Sequence, residues 1–244
     1  MNYKFNPPKI AIIGGVGIYD PKIFKKEREI KIKTPFGFPS ASIKIGDFEG
    51  KKVLFLARHG KGIAIPPHKI NHKANISALK KLGVKYIFAF NSVGSFKKEL
   101  RPGDFLVPLD FVDFDPPTFY ERNPEFITPQ ISQKLRRVLI KICKKLRLKF
   151  WPKGTYFNTK GPRFETKAEI KMIKNFADVV GMTMAKEVTL SNELGLEYAS
   201  LCSVDNYAHG IVKKSLTQKG IEENQKRNKQ FIEKIIKEIL KAKI

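Results

Sequence analysis

Two kinds of patterning alternate along this chain. Apolar runs rich in β-branched and aromatic residues, the pattern of buried strands, occur at residues 10–13, 42–45, 53–57, 86–91, 104–108, 154–158, 179–181 and 197–204. Between several of them, apolar positions recur at helical spacing, over residues 71–82, 129–146, 166–175 and 185–194. A last helix is expected over about 217–242. There Ile221, Phe231, Ile235, Ile236, Ile239 and Leu240 gather mostly on one face, and Lys, Glu, Asn and Gln fill the rest. A helix patterned this way packs along the outside of a sheet. Strands alternating with helices predict an α/β fold of three layers, with a mixed, strongly twisted sheet at the centre. No composition break, repeat or low-complexity tract interrupts the pattern, so residues 1–244 read as a single domain.

Composition narrows the class. With 42% hydrophobic residues, a chain of 244 can bury a sizeable core. No apolar run approaches the roughly 18 residues that would cross a bilayer, and the N-terminal stretch lacks a leader layout, so a soluble cytoplasmic protein is expected. Cys143 and Cys202 sit in apolar contexts and read as buried free thiols rather than a disulfide or metal pair. Lys and Arg total 47 against 23 acids, a formal charge of +24. That raises nucleic-acid binding, but the basic residues are dispersed as doublets over helix faces and loops, without zinc-finger spacing or an aromatic RNA-binding motif. They read instead as the solvated lysine-rich surface common in heat-loving organisms, whose field draws in anionic substrates.

Five turns carry candidate chemistry. The first strand runs into Gly14-Gly15-Val16-Gly17, which fails the dinucleotide fingerprint at its third glycine and lacks the Lys-Ser/Thr of a Walker loop. It remains either an amide-lined oxyanion turn or a plain tight turn. Arg58-His59 follows another strand, and a planar guanidinium beside a ring donor suits phosphate; in isolation the solvated-loop reading of such a pair is the favoured one. His68 and His72 are four apart but have no acid or cysteine at ligand spacing, which favours surface or interface histidines over a metal site. Asn91-Ser92-Val93-Gly94-Ser95 follows the strand at 86–91, and open α/β sheets bind ligands at such carboxyl ends. In "GPRFETKAE", Phe164 offers a flat ring for stacking, and Thr166 with Glu169 forms a capping box. Last, Thr183 follows a strand, Glu187 lies in an early helical turn, and Asp205-Asn206-Tyr207 ends another strand.

In this order, "GG-x-G", "RHG", "N-x-VGS", "GPRFET-x-AE" and "GMT-x-x-x-E" resemble the trimer- or hexamer-forming purine nucleoside phosphorylases, and most nearly their 5′-methylthioadenosine phosphorylase branch. The resemblance spans residues 10–210 and continues loosely through the last helix. It implies a mixed sheet curled into a partial barrel and flanked by helices. It also implies phosphorolysis of purine nucleosides in purine salvage by a pentosyltransferase that uses inorganic phosphate as co-substrate, with no metal or organic cofactor. By residue matching, phosphate would meet Gly15, Val16, Gly17, Arg58, His59, Asn91, Ser92 and Thr183. Met182 would lie against the ribose and Phe164 against the purine, while Asn206, flanked by Tyr207 and Ala208, would face the base edge and act catalytically. A homotrimer or homohexamer is implied as well, with no membrane or nucleic-acid partner.

Two positions depart from that family pattern. Val16 stands where a Ser or Thr hydroxyl usually touches phosphate. Asn206-Tyr207-Ala208 stands where adenine-directed members carry Asp-Tyr-Asp. An amide can donate to O6 or to a negative N7 but cannot supply a proton, so inosine, guanosine or 5′-methylthioinosine is the expected substrate. A one-residue register shift would instead place Asp205 in the pocket. The alternatives are a methylthioadenosine phosphorylase with an altered base pocket and a catalytically weakened nucleoside-binding homologue. For the 5′ end, Thr217, Gly220 and Ile221 offer no histidine to a hydroxyl, and apolar Ile63 could approach from a neighbouring subunit, which leans towards a methylthio group.

Overall fold

The computed structural model describes residues 8–18, 25–213 and 217–244. Among these, eleven strands join in one mixed sheet: β1 (Ile10–Gly14), β2 (Lys25–Ile30), β3 (Ile43–Phe48), β4 (Lys51–Ala57), β5 (Tyr86–Ser95), β6 (Phe105–Leu106), β7 (Asp110–Asp113), β8 (Phe150–Trp151), β9 (Thr155–Asn158), β10 (Val179–Gly181) and β11 (Glu197–Tyr207). Five α-helices flank it: α1 (His72–Lys81), α2 (Gln133–Lys145), α3 (Lys167–Ile173), α4 (Met184–Glu193) and α5 (Gln218–Lys241). The sheet runs β2-β3-β4-β1-β5-β10-β9-β7, with β11 on the other edge of β5 and β6 and β8 beyond it; it does not close on itself.

β5 organises the fold. β11 runs parallel to it over the whole length, from Glu197 opposite Tyr86 to Tyr207 opposite Ser95. Its other edge is shared. β1 pairs with residues 86–89 in parallel, and β10 pairs antiparallel with Gly94 and Ser95. Between these two partners the sheet forks, leaving residues 90–93 of β5 open on that side. Strands buried on both faces need continuous apolar runs, and Ile10–Gly14 and Lys51–Ala57 have them.

The main core packs Ile12, Leu54, Phe55, Phe88 and Tyr198 of the sheet with Leu135 and Leu139 of α2 and Ile235, Ile236 and Ile239 of α5. A smaller cluster, including Phe96, Phe157, Ile170 and Val180, lies under α3. The capping box at Thr166 and Glu169 is formed, and it starts α3.

Several boundaries differ from the sequence pattern. The strand expected to end at Asn91 continues to Ser95, because β11 and then β10 supply its hydrogen-bond partners. β11 likewise continues to Tyr207. Residues 104–108 shorten to the two-residue β6. β2, β7 and β8 gave no apolar run: β2 reads KKEREI at the sheet's edge, and β8 has two residues. Cys143 and Cys202 are free and buried, as expected. Among the described residues, no helix is long and apolar enough to cross a membrane.

Candidate active site

The fork beside β5 holds a cavity of about 280 Å³. Turns at the carboxyl ends of parallel strands build one wall, Gly15 and Val16 after β1 and Arg58 and His59 after β4. This is where open parallel sheets present ligand sites. Ser92, Val93 and Gly94 of β5 form the floor. Phe164 and Glu165, Met182 and Thr183, and Asn206 complete the ring, and Gln218, Ile221 and Gln225 of α5 cover it.

Arg58 is the anchor, but not as a free fork. It is 1% exposed. Its Nε and Nη2 donate to Glu187 Oε1 and Oε2 at 2.6 and 2.9 Å, and its Nη1 donates to the Phe90 carbonyl at 2.8 Å. That carbonyl lies in the open stretch of β5, so the guanidinium fills a ladder position the fork leaves vacant. Of five guanidinium N–H groups, two remain for a ligand. Gly15 must be glycine here, since a Cβ would come within 2.7 Å of Arg58 Nη1 and 2.9 Å of the Phe90 carbonyl oxygen. Burial works against Arg58's charge, but Glu187 outweighs it and raises its pKa. Burial likewise opposes ionisation of Glu187; Arg58 and the Tyr198 hydroxyl, donating at 2.7 Å, prevail and hold its pKa below the usual value.

His59 departs from its expected role. Its Nδ1 lies 2.9 Å from the Ile65 carbonyl, so the ring spends its donor there. Burial, with Arg58 adding to it, lowers its pKa. The neutral ring therefore presents Nε2 as an acceptor, and it can donate to an anion only when protonated. His72 is corrected too. It is buried rather than superficial, neither ring nitrogen has a hydrogen-bond partner although Nδ1 lies 3.9 Å from Glu187 Oε1, and burial pushes its pKa down to about 4. His68 is exposed. No group of three or more candidate metal ligands occurs among the described residues.

Thr183 caps α4 with its hydroxyl unspent on the helix. Its Oγ1 accepts from Asn91 Nδ2 at 2.9 Å, and Asn91 Oδ1 accepts from Ser200 at 2.5 Å. Asn91 thus stands behind the cavity and orients Thr183, whose O–H is left to point at a ligand. At the far end, a bulge in β11 sets two residues against one of β5 between Val204 and Asn206. A bulge re-aims side chains. Here Asn206 lines the cavity, while Asp205 is buried among Ser203 and Asn228 behind it. Asn206 uses one amide hydrogen on the Tyr207 carbonyl at 2.9 Å and keeps the other.

Tyr207 and Ala208 do not line the cavity. Strand alternation turns Tyr207 outward, where its hydroxyl donates to the Lys98 carbonyl, and Ala208 is buried in the smaller core cluster. Gly17 and the exposed Ile63 also lie off its wall. Three polar wall residues were missed in the sequence: Glu165, Gln218 and Gln225. Glu165 had a signal, an acid directly after the candidate stacking ring. It is 7% exposed and its Oε1 accepts from Thr159 at 2.6 Å, a bond that leaves Oε2 uncommitted.

With this geometry in place, similarity to known proteins settles the family. Residues 9–241 match the sequence profile of the phosphorylase superfamily. The chain belongs to that superfamily. It is 44% identical over 234 residues to the probable 6-oxopurine nucleoside phosphorylase of Archaeoglobus fulgidus, covering 95% of this chain and 96% of the other. It is 40% identical to the S-methyl-5′-thioadenosine phosphorylase of Pyrococcus furiosus, covering 94% and 91%. Its fold superposes on the methylthioadenosine phosphorylase of Schistosoma mansoni in complex with adenine, with a TM-score of 0.87 at 30% identity over 96% of this chain and 91% of the other. The phosphorylase is a pentosyltransferase of the nucleoside phosphorylase type.

Proposed function

We propose that the enzyme cleaves the C1′–N9 bond of 6-oxopurine nucleosides with inorganic phosphate, releasing the free base and a pentose 1-phosphate. The observation that carries the base preference is the pairing of Glu165 and Asn206 on one cavity. A 6-oxopurine offers a donor at N1 and acceptors at O6 and N7. A carboxylate oxygen of Glu165 accepts from N1–H, and the spare amide hydrogen of Asn206 donates to O6 or N7. Adenine reverses the pattern at N1, setting a lone pair against the carboxylate, and Asn206 has no proton to give its N7.

The chemistry follows from charge. As the bond breaks, the sugar becomes oxocarbenium-like and the purine gains negative charge. An anion held against C1′ and a donor held at the base stabilise both halves, provided they are oriented beforehand. The Gly15–Val16 turn, the two spare N–H groups of Arg58, Ser92 and Thr183 hold the phosphate. Met182 lies along the ribose, Phe164 covers the purine, and Asn206 stabilises the departing base. Ile221 on the α5 wall supports a methylthio group at the 5′ position. On the same reading the reaction uses no metal or organic cofactor, and residues 1–244 act as a single cytoplasmic domain. The working unit is a homotrimer or homohexamer. Phe126 and Phe114, 96% and 81% exposed in the lone chain, are rings that such an interface would cover. Sedimentation checks the assembly.

A product assay with inosine, guanosine, 5′-methylthioinosine and 5′-methylthioadenosine, run with and without phosphate, tests the function. The expected result is phosphate-dependent release of base, fastest for a 6-oxopurine. Faster cleavage of methylthioadenosine than of every 6-oxopurine nucleoside overturns the base assignment in favour of a methylthioadenosine phosphorylase. Binding without turnover makes the chain a nucleoside-binding relative.

A further inference from the structure

Behind the floor of the cavity lies a carboxyl group to which the reaction assigns no role. Asp205 occupies the β11 bulge and is 1% exposed. Its Oδ1 accepts from Ser203 Oγ at 2.5 Å and Asn228 Nδ2 at 3.2 Å, whereas Oδ2 has no partner in hydrogen-bonding geometry. Ser92 and Gln225, both on the cavity wall, stand close enough to favour the charged form of Asp205 by hydrogen bonding. Gln225 Nε2 also donates to Ser92 Oγ at 3.3 Å. Ser92 therefore belongs both to the cavity and to the surroundings of the buried acid.

Charge makes this arrangement consequential. Arg58 is compensated by Glu187, His59 is held towards its neutral form, and Glu165 adds a further acid to the wall. A phosphate dianion entering here meets no uncompensated positive side chain among the described residues of the wall. An ionised Asp205 adds repulsion from behind, and hydrogen bonding from Ser92 favours that ionised form, which would commit the Ser92 hydroxyl hydrogen away from the anion.

We propose that anion binding takes up one proton onto Asp205 Oδ2, which then donates to Ser92 Oγ and turns the Ser92 hydroxyl hydrogen towards the bound anion. This rests on the reading that the cavity takes phosphate. Solvent or a buffer acid supplies the proton; an O–H bond forms at Oδ2 and no other covalent bond changes. Ser92 Oγ then accepts from Asp205 and Gln225 and donates to the anion, its full capacity. Burial raises the Asp205 carboxyl to about 6, against the hydrogen bonds that lower it, so the proton is accessible near neutrality. Titratable groups on the neighbouring elements include Cys202, Asp104 and Arg227. The Cys202 thiol on β11 is pushed up to about 12 by burial, Asp104 before β6 accepts from the Arg101 amide, and Arg227 on α5 bonds Asn224 Oδ1 and the Pro102 carbonyl.

Sulfate stays a dianion between pH 5 and 8, whereas phosphate changes charge, so sulfate is the probe. Its affinity for the wild-type enzyme should weaken as pH rises through about 6, by up to about tenfold per unit. Asp205→Asn should remove that dependence, because the carboxamide donates to Ser92 at every pH while its oxygen still accepts from Ser203 and Asn228. In the wild type alone, the heat of sulfate binding at pH 7 should vary with the ionisation heat of the buffer, reporting proton uptake whether or not the variant folds. An unchanged pH slope in Asp205→Asn overturns the proposal, since the proton then lands elsewhere, with His59 next in line. A buffer-independent heat overturns it too. If sulfate does not bind, or phosphate does not displace it, the phosphate reading itself falls and the proposal with it.

Discussion

Glu187→Gln separates the structural from the ligand-holding role of Arg58. The substitution keeps the shape of the side chain and removes its charge, so a guanidinium that is 1% exposed faces a carboxamide. One amide oxygen can still accept from Arg58 Nε, but the amide nitrogen then confronts Arg58 Nη2 or the Tyr198 hydroxyl, both of which donate to Glu187 in the native enzyme. Breaking a buried pair typically costs about 3–5 kcal/mol, and the retained acceptor favours the lower end. At roughly 2–4 °C per kcal/mol for a chain of this size, Tm should fall by about 6–12 °C. The second readout is specific to the site. An anion in the cavity offers Arg58 the negative partner it has lost, and a ligand that binds only the folded state raises stability with its affinity. Calorimetric melts with and without phosphate should therefore show a larger anion-induced gain in the variant than in the wild type. An unchanged Tm would refute the pairing energetics. Equal anion shifts would refute the placement of phosphate beside Arg58.

Two further substitutions test the anion end of the cavity and the buried histidine beside Glu187. Val16→Thr adds a hydroxyl to the wall of the anion end and should tighten the apparent affinity for phosphate by ~10- to 150-fold, the worth of a hydrogen bond to a charged group; an unchanged KM for phosphate refutes this. His72→Leu should flatten the acid limb of the stability curve: with its folded pKa near 4, below the unfolded value, wild-type His72 contributes stability above pH 6.5 that is lost as pH falls towards 4, about 2–3 kcal/mol by pH 4.5. Denaturant titrations at pH 7 and 4.5 measure it, and equal acid losses in both proteins refute it.

What the sequence made legible was local. Strand runs such as 10–13 and 179–181, the amphipathic face of α5 and the capping box of α3 each depend on neighbours a few residues away, and each stands in the structure near its expected bounds. Partnerships were not legible. Arg58 and Glu187 lie 129 residues apart, and nothing near "RHG" announces that its guanidinium is already held. The donor of His59 goes to Ile65 because Gly60 and Gly62, at positive φ, turn the loop back over the ring. β2 and β8 exist because other strands pair with them, not because their residues demand it. Which of Asp205 and Asn206 faces the cavity depends on a bulge, and a bulge in a parallel pair leaves no mark in a run of apolar residues.

The same partnerships explain how a chain of charge +24 would hold phosphate, on the proposed reading, with no uncompensated cation among the described residues of the wall. The excess lysines lie over the surface, where they raise the local concentration of anions without choosing among them. At the cavity the charges are balanced in pairs, and the groups left facing inward are dipoles: the turn after β1, the Thr183 hydroxyl set by Asn91, the spare hydrogens of Arg58 and Asn206. Dipoles in fixed directions discriminate by geometry, and they need no reorganisation as negative charge moves from phosphate to purine. A bare lysine in their place would bind phosphate more tightly before the reaction and leave less stabilisation to gain during it. Compensation of Arg58 by Glu187 behind the wall would thus favour turnover over retention of the anion.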